Sequence, residues 1–115
     1  MEFNQQNPIY LQIADNICER ILSGELLQGE RIASVREWAA TIGVNPNTVA
    51  RAYDSLTSWG VIFQKRGIGF FVSDDAKEQI SALKKDEFIR NELPLFVRKA
   101  KLLGLNPVDL VKNYE

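Results

Sequence analysis

Between Ser34 and Gly60 the chain carries start and stop signals for two short helices, and this constrains the fold more than any other feature. Ser34 and Glu37 have the spacing of a capping box, in which the serine hydroxyl accepts from the Glu37 N–H and the carboxylate accepts from the Ser34 N–H. A helix is therefore predicted to begin at Val35. Gly43 is the residue type that ends a helix in the left-handed conformation.

The second helix is predicted to begin at an Asn-Pro pair. Asn45 is expected to cap it, with Pro46 in the first position, where a missing N–H costs nothing. Apolar residues recur at intervals of three and four and should face inward: Val49, Ala52, Tyr53 and Leu56. The residues left on the outward face are Asn47, Thr48, Ala50, Arg51 and Asp54. Two helices joined by so short a turn form a helix-turn-helix, which can present its second helix to a DNA major groove.

An earlier helix is predicted from the apolar residues near the N-terminus. Asn7-Pro8 has the same form as the Asn45-Pro46 cap, and Ile9, Ile13, Ile17 and Ile21 follow at a spacing of four, with Tyr10, Ala14 and Cys18 beside them. This pattern predicts an amphipathic helix that ends at Gly24. On its apolar side, Cys18 is expected to be a buried, inert core thiol rather than a redox sensor.

Two β-rich runs follow the second helix. Residues 61–63 and 70–72 flank the basic, glycine-bearing segment 65–69, which predicts a hairpin. The segment 26–32 is expected to be a short strand or extended link that pairs with this hairpin. The predicted fold is thus mostly α with a small β-hairpin: a winged helix-turn-helix over residues 1–73, followed by a C-terminal helical segment over residues 74–115.

The sequence from Gly29 to Val72 resembles the N-terminal DNA-binding domain of the GntR family of bacterial transcriptional regulators, and the short chain is most similar to the YtrA-like subgroup. The motifs that carry the resemblance are Ser34-x-Arg36, Thr48-Val49-x-x-Ala52-Tyr53-x-x-Leu56 and Arg66-Gly67-x-Gly69-x-Phe71-Val72. The segment before the first helix departs from the usual Leu-Pro-Ser, and Asn45-Pro46 replaces a frequent Ser-Arg. This second departure removes any base contact by an arginine at that point.

The resemblance implies a homodimeric, sequence-specific regulator, expected to be a repressor, that binds an inverted-repeat operator in double-stranded DNA. The residues expected to contact DNA are Ser34, Arg36, Asn45, Asn47, Thr48, Arg51, Lys65, Arg66, Gly67 and Gly69. Arg36 and Lys65 are expected on phosphates, and Arg66 on a phosphate or in the minor groove. The two glycines are expected to allow a close backbone approach.

Charge and composition agree with a DNA partner and argue against catalysis. The net charge is −1, but residues 31–70 carry five basic and two acidic side chains, so the excess of positive charge lies in the proposed DNA-binding segment. With no histidine and a single cysteine, Cys18, neither a Cys/His zinc site nor histidine-based acid–base catalysis is expected. We therefore expect no enzyme activity, no metal and no cofactor.

The C-terminal segment is predicted to be helical from about Ala76 towards Asn91, with a kink or a restart at Pro94. Apolar residues then step by four, three, four and three, a spacing typical of helices packed against a partner. This predicts a homodimer interface formed by Ile89, Leu93, Phe96, Ala100 and Leu103. Asn106-Pro107 is predicted to cap a last short helix.

Some alternatives stay open at this point. A winged helix can also serve as a protein-interaction module without DNA, and the basic residues Arg98, Lys99 and Lys101 fit a solvated face better than a second DNA patch. No apolar run is long enough for a membrane span, and Met1–Gln6 lacks the features of a signal peptide, so a cytoplasmic protein is expected. No segment indicates which effector, if any, is bound.

Overall fold

A computed structural model of the chain describes residues 7–114. It forms two compact units, one ending at Ile80 and the other beginning at Ser81. Ala76 and Ile80 are buried in the core of the first unit, so this boundary lies beyond residue 73. The expectation for Met1–Gln6 lies outside the described residues.

Helix α1 spans Ile9–Leu22, and the apolar side chains on one of its faces are buried. The buried side chains are Ile13, Ala14, Ile17, Cys18 and Ile21. Burial of the Cys18 thiol among them confirms that it belongs to the core. Ile9, the first residue of the predicted stripe, is instead exposed. The Asn-Pro cap predicted here from the likeness to Asn45-Pro46 is wrong, because Pro8 is the capping residue and no side chain caps the helix.

Helices α2 and α3 span Val35–Ile42 and Pro46–Ser58 and confirm the predicted starts. Gly43 ends α2 in the left-handed conformation, with φ 70° and ψ 39°. All four predicted inward residues of α3 are buried. Tyr53 is the largest of them, and its hydroxyl donates to the backbone oxygen of Ala33, while its ring meets Phe70 edge-on with 5.0 Å between ring centres. Tyr53 thereby ties α3 to the residue just before α2 and to the sheet.

A three-stranded antiparallel sheet completes the first unit, in the order β1-β3-β2. Its strands are β1 Arg31–Ile32, β2 Ile62–Lys65 and β3 Gly69–Val72. The pairing of β1 with β3 confirms that the link before α2 joins the hairpin. Because side chains alternate along a strand, Ile62 and Val72 face the core, while Phe63 and Phe71 stack on the outer face.

The hairpin turn is shorter than predicted. Lys65 and Gly69, expected in the turn, are paired across β2 and β3, which leaves only residues 66–68 to connect the strands. The Ile68 N–H closes the turn on the Lys65 backbone oxygen at 2.9 Å. Gly67 supplies the positive φ of 78° that the turn requires.

The C-terminal helices are α4 Ala76–Glu87, α5 Leu93–Leu102 and α6 Pro107–Lys112. Between α4 and α5 the chain makes a π-helical turn, Phe88–Glu92, in which the Leu93 N–H donates to the Phe88 oxygen five residues earlier. This wider turn lies directly before Pro94, which has no N–H to continue an α-helical ladder. Glu92 and Leu93 keep helical backbone angles, so the chain stays helical from Ala76 to Leu102, and the wider turn stands where a kink or a restart was predicted. Asn106 caps α6 as predicted, its side chain accepting from the Val108 N–H at 2.9 Å.

Candidate nucleic-acid interface

The first turn of α3 presents the polar residues expected to read bases. The Asn45 side-chain oxygen accepts from the Asn47 N–H at 2.8 Å, and Pro46 follows at the first helical position. Asn47, the second residue of the helix, has an exposed side chain, whereas Thr48 is half-buried. One side of α3 packs against α1 and α2 while this side remains open.

Arg51 lies one turn further along α3 and is held by a residue of α1. Its guanidinium carbon lies 4.2 Å from the centre of the Tyr10 ring, the geometry of a cation–π contact. The side chain stays exposed, so its N–H groups remain available to a ligand. Sequence reasoning assigned Tyr10 to the apolar side of α1 and missed this contact, because no local spacing connects the two residues.

The start of α2 forms the second part of the interface. Its capping box is complete: the Ser34 hydroxyl accepts from the Glu37 N–H at 3.1 Å, and the Glu37 carboxylate accepts from the Ser34 N–H at 3.1 Å. Hydrogen bonds to the carboxylate from the Ser34 N–H and from the Ser34 hydroxyl lower the pKa of the Glu37 carboxyl below its ordinary value. Arg36 lies within this first turn and is exposed. The turn thus presents an exposed cation at the capped start of a helix.

The wing is the third part, and its cations have different surroundings. The Lys65 ammonium lies over the outer face of the sheet, 4.7 Å from the centre of the Phe71 ring. Arg66 follows in the turn and is exposed. Above Gly67 the space is open, with no atom within 4 Å of the position that a Cβ would take. The wing tip can therefore lie close against a groove, as expected for Gly67.

Gly69 differs from Gly67, because an arginine covers it. A Cβ built on Gly69 would lie 2.8 Å from Nε of Arg31. The close backbone approach expected at Gly69 stays a prediction, and on this side it would require the exposed Arg31 side chain to move. The sequence alone assigns no contact to Arg31, because the register of β1 on β3, and not their pairing alone, brings it to Gly69.

The five cations at these positions share one electrostatic property. Within residues 7–114 no carboxylate lies within 4.0 Å of their charged nitrogens, unlike the pairs that Arg20, Arg90 and Lys112 make with neighbouring acids. The five are Arg31, Arg36, Arg51, Lys65 and Arg66. An anion that approaches them has no internal carboxylate to displace, which suits phosphate binding.

Metal sites and membrane-spanning helices are the other features compared with the helix-turn-helix and wing. The described residues include no cluster of three or more acidic, cysteine or histidine side chains that could hold a metal ion. Among the same residues, no helix is both long and apolar enough to cross a membrane. Within the described residues, the five cations of the helix-turn-helix and wing therefore remain the candidate site.

The arrangement of helices and wing matches known DNA-binding proteins. Residues 9–72 match the sequence model of the bacterial regulatory proteins of the gntR family. The HTH-type transcriptional repressor YtrA of Bacillus subtilis is 37% identical over 94% of this chain and 80% of its own length. The match to YtrA therefore includes most of the C-terminal helices as well as the winged helix.

Two solved structures show the same likeness. A GntR-family transcriptional regulator from Bacteroides thetaiotaomicron superposes with a TM-score of 0.80 at 47% identity, covering 93% of each chain. The DNA-binding domain of AraR, solved in complex with the operator ORR3, superposes with a TM-score of 0.57 at 30% identity, covering 64% of this chain and 86% of that domain. The latter relationship concerns the helix-turn-helix and wing.

Proposed function

Because this chain belongs to the GntR family and is a DNA-binding transcriptional regulator rather than an enzyme, we propose that it is a repressor that binds an inverted-repeat operator as a homodimer. The observation that carries the DNA-reading part of the proposal is the first turn of α3, where the capped helix start leaves Asn47 exposed beside Arg51. Asparagine can pair bidentately with adenine in the major groove. Repression is proposed from the likeness to YtrA, which is named a repressor.

The contacts divide into those that read bases and those that hold the backbone. Asn47, Thr48 and Arg51 are proposed to face base edges, with Asn45 fixing the helix end. Ser34 and Arg36 are proposed to bind phosphates at the start of α2. In the wing, Lys65 is proposed to bind a phosphate, while Arg66 and Gly67 enter the minor groove or reach its edge.

Dimerisation through the C-terminal segment is proposed from its exposed apolar surface. Eleven of the sixteen exposed large hydrophobic side chains among the described residues lie between Phe88 and Tyr114. Exposed apolar surface on this scale marks an interaction site, and a second copy of the same chain is the partner that an operator with two half-sites requires. The proposed division of labour is DNA binding by residues 1–73 and dimerisation within residues 74–115, of which Ala76 and Ile80 also complete the core of the first unit.

The five residues of the proposed dimer interface, called the seam here, differ in how much of each side chain is exposed. Ile89 is 60% exposed, Leu93 42% and Leu103 74%, and Phe96, at 38%, is the central aromatic. Ala100 is already buried within the protomer at 4% exposure, so it lines the base of the seam rather than adding free area. Phe96 is the best anchor because binding energy concentrates on central aromatic residues.

A duplex-selection experiment tests this function. The full chain, presented with a pool of random duplexes, should enrich an inverted repeat whose half-sites lie about one helical turn apart or a multiple of it, because two symmetry-related α3 helices occupy successive major grooves. Binding should weaken steeply with added salt. Absence of any salt-dependent retention on duplex DNA would instead favour the protein-interaction module. Since its proposed target is the operator, the regulator would act in the cytoplasm.

A further inference from the structure

Gly69 has no side chain, and the Arg31 side chain occupies the space where one would lie. Gly69 has φ 142°, a conformation that residues with a Cβ rarely adopt, and it pairs with Lys65 at the end of the hairpin. A Cβ at this position would lie 2.8 Å from Nε and 3.5 Å from Nη2 of Arg31. The Arg31 guanidinium therefore rests directly on the glycine backbone.

Arg31 reaches this place from the neighbouring strand. It lies opposite Phe71 in the register of β1 with β3, so its side chain leaves the same outer face of the sheet as Phe63, Phe71 and Lys65. Arg31 is exposed, and no carboxylate of residues 7–114 pairs with it. Its charge also contributes to lowering the pKa of the Glu37 carboxyl, which places it towards the start of α2.

We propose that Arg31 binds a backbone phosphate of the DNA duplex and that Gly69 positions its guanidinium for that contact. The proposal rests on the DNA binding proposed above. Arg31 starts from the edge strand β1, and its guanidinium ends beside Gly69 rather than in the turn of residues 66–68, so it is suited to the phosphates that line a groove and not to the base edges inside it. Held against the backbone of Gly69, the planar guanidinium loses little freedom when it binds phosphate.

Arg31→Gln tests the phosphate contact directly, because it removes the charge and keeps a side chain of similar reach. Binding to a duplex selected by the wild-type protein, and to a mixed-sequence duplex of equal length, should fall by the same factor. The slope of log K against log salt should flatten by about 0.9 per subunit, which corresponds to about an eightfold loss per contact at 0.1 M salt. Lys77→Gln, an equal charge change at an exposed residue of α4, should leave the slope unchanged.

Gly69→Ala tests the positioning role. The new methyl group would displace the Arg31 guanidinium, so the loss of affinity should approach that of Arg31→Gln, and the double variant should lose no more than either alone. Thermal unfolding of each variant identifies any effect on folding at this constrained φ. If Gly69→Ala is unfolded, the positioning role is tested instead by Arg31→Lys, which keeps the charge but has no planar guanidinium to hold against Gly69 and should also lose affinity; wild-type affinity in that variant would overturn the positioning role.

The possible outcomes separate the two proposals. If the wild type binds duplexes with the expected salt dependence but Arg31→Gln keeps the wild-type slope, Arg31 makes no phosphate contact and this inference is overturned alone. If the losses of the two single variants add in the double variant, Gly69 does not act through Arg31. If the wild type itself does not bind duplex DNA, the proposed function fails.

Discussion

The Tyr53 hydroxyl offers a test of how the recognition helix is held in place. Tyr53 is buried, and its hydroxyl donates to the Ala33 backbone oxygen directly before the capping residue of α2. Tyr53→Phe removes this hydrogen bond and keeps the ring against Phe70, so at pH 7 it should cost about 1 kcal/mol of unfolding free energy, or roughly 4–8 °C in Tm. Tyr114→Phe, which makes the same change on a 90% exposed side chain, should cost almost nothing.

The same variant should behave differently in alkali. Burial, with a smaller contribution from the charge of Glu37, raises the pKa of Tyr53 to about 12, from an ordinary value of 10.0. The unfolded chain therefore loses this proton first, and the wild type should lose stability as the pH rises through 10 towards 12, approaching a limit of roughly 2.7 kcal/mol above pH 12, at about 1.36 kcal/mol per pKa unit. Tyr53→Phe lacks this loss.

Denaturant unfolding of both proteins at several pH values measures the difference. Tyr53→Phe should be the less stable protein at pH 7, and the two stabilities should become equal near about pH 11, where the two effects balance. Curves that stay parallel from pH 7 to pH 12 would show that the Tyr53 hydroxyl is not buried in the hydrogen bond described, and the link between α3 and the start of α2 would have to be made by other contacts.

Three further predictions concern the dimer, the capping box and the core. If the protein forms the proposed homodimer, Phe96→Asp should convert it to a monomer in light scattering, because the substitution places a charge in the centre of the proposed interface; a dimer of unchanged affinity would put the interface elsewhere. As the pH falls below 4.5, the ordinary pKa of the Glu37 carboxyl, the Ser34 amide should lose protection from hydrogen exchange, because the lowered pKa means that the folded state favours the carboxylate. Glu37→Gln retains a capping acceptor and should abolish this pH dependence. A pH dependence that is the same in both proteins would contradict the role given to the carboxylate. Leu56→Ala, at a site with 0% exposure, should cost about 2–5 kcal/mol in urea unfolding, against less than about 0.5 kcal/mol for Leu27→Ala at 59% exposure; equal costs would contradict the burial pattern.

The local signals were sufficient to predict both helices of the DNA-reading unit. Three local features carry these signals: the capping box at Ser34, the left-handed Gly43 and the Asn45-Pro46 start. Each involves residues within four positions of one another, so each can be recognised from the sequence alone. The same pattern failed at Asn7-Pro8, where the helix begins after the proline without a side-chain cap. An Asn-Pro pair therefore permits this cap but does not determine it.

Contacts between distant segments could not be predicted in this way. The pairing of Lys65 with Gly69 shortens the turn, and it depends on the register of two strands rather than on the glycines alone. The stacking of Arg51 on Tyr10 and the placement of Arg31 over Gly69 join residues about 40 positions apart. Both required the packing of α1 on α3 or of β1 on β3, which periodicity does not specify.

The central claim is that the first turn of α3 reads bases while the cations around it hold the backbone. It is tested most directly by the affinity of Asn47→Ala for a selected operator and for mixed-sequence DNA of equal length, with Arg36→Ala as the matched comparison. Asn47→Ala should weaken operator binding by roughly 1–3 kcal/mol and leave mixed-sequence binding almost unchanged, whereas Arg36→Ala should weaken both and flatten the salt dependence by about one phosphate contact per subunit. Equal losses on both duplexes for Asn47→Ala would contradict the claim that this helix reads sequence.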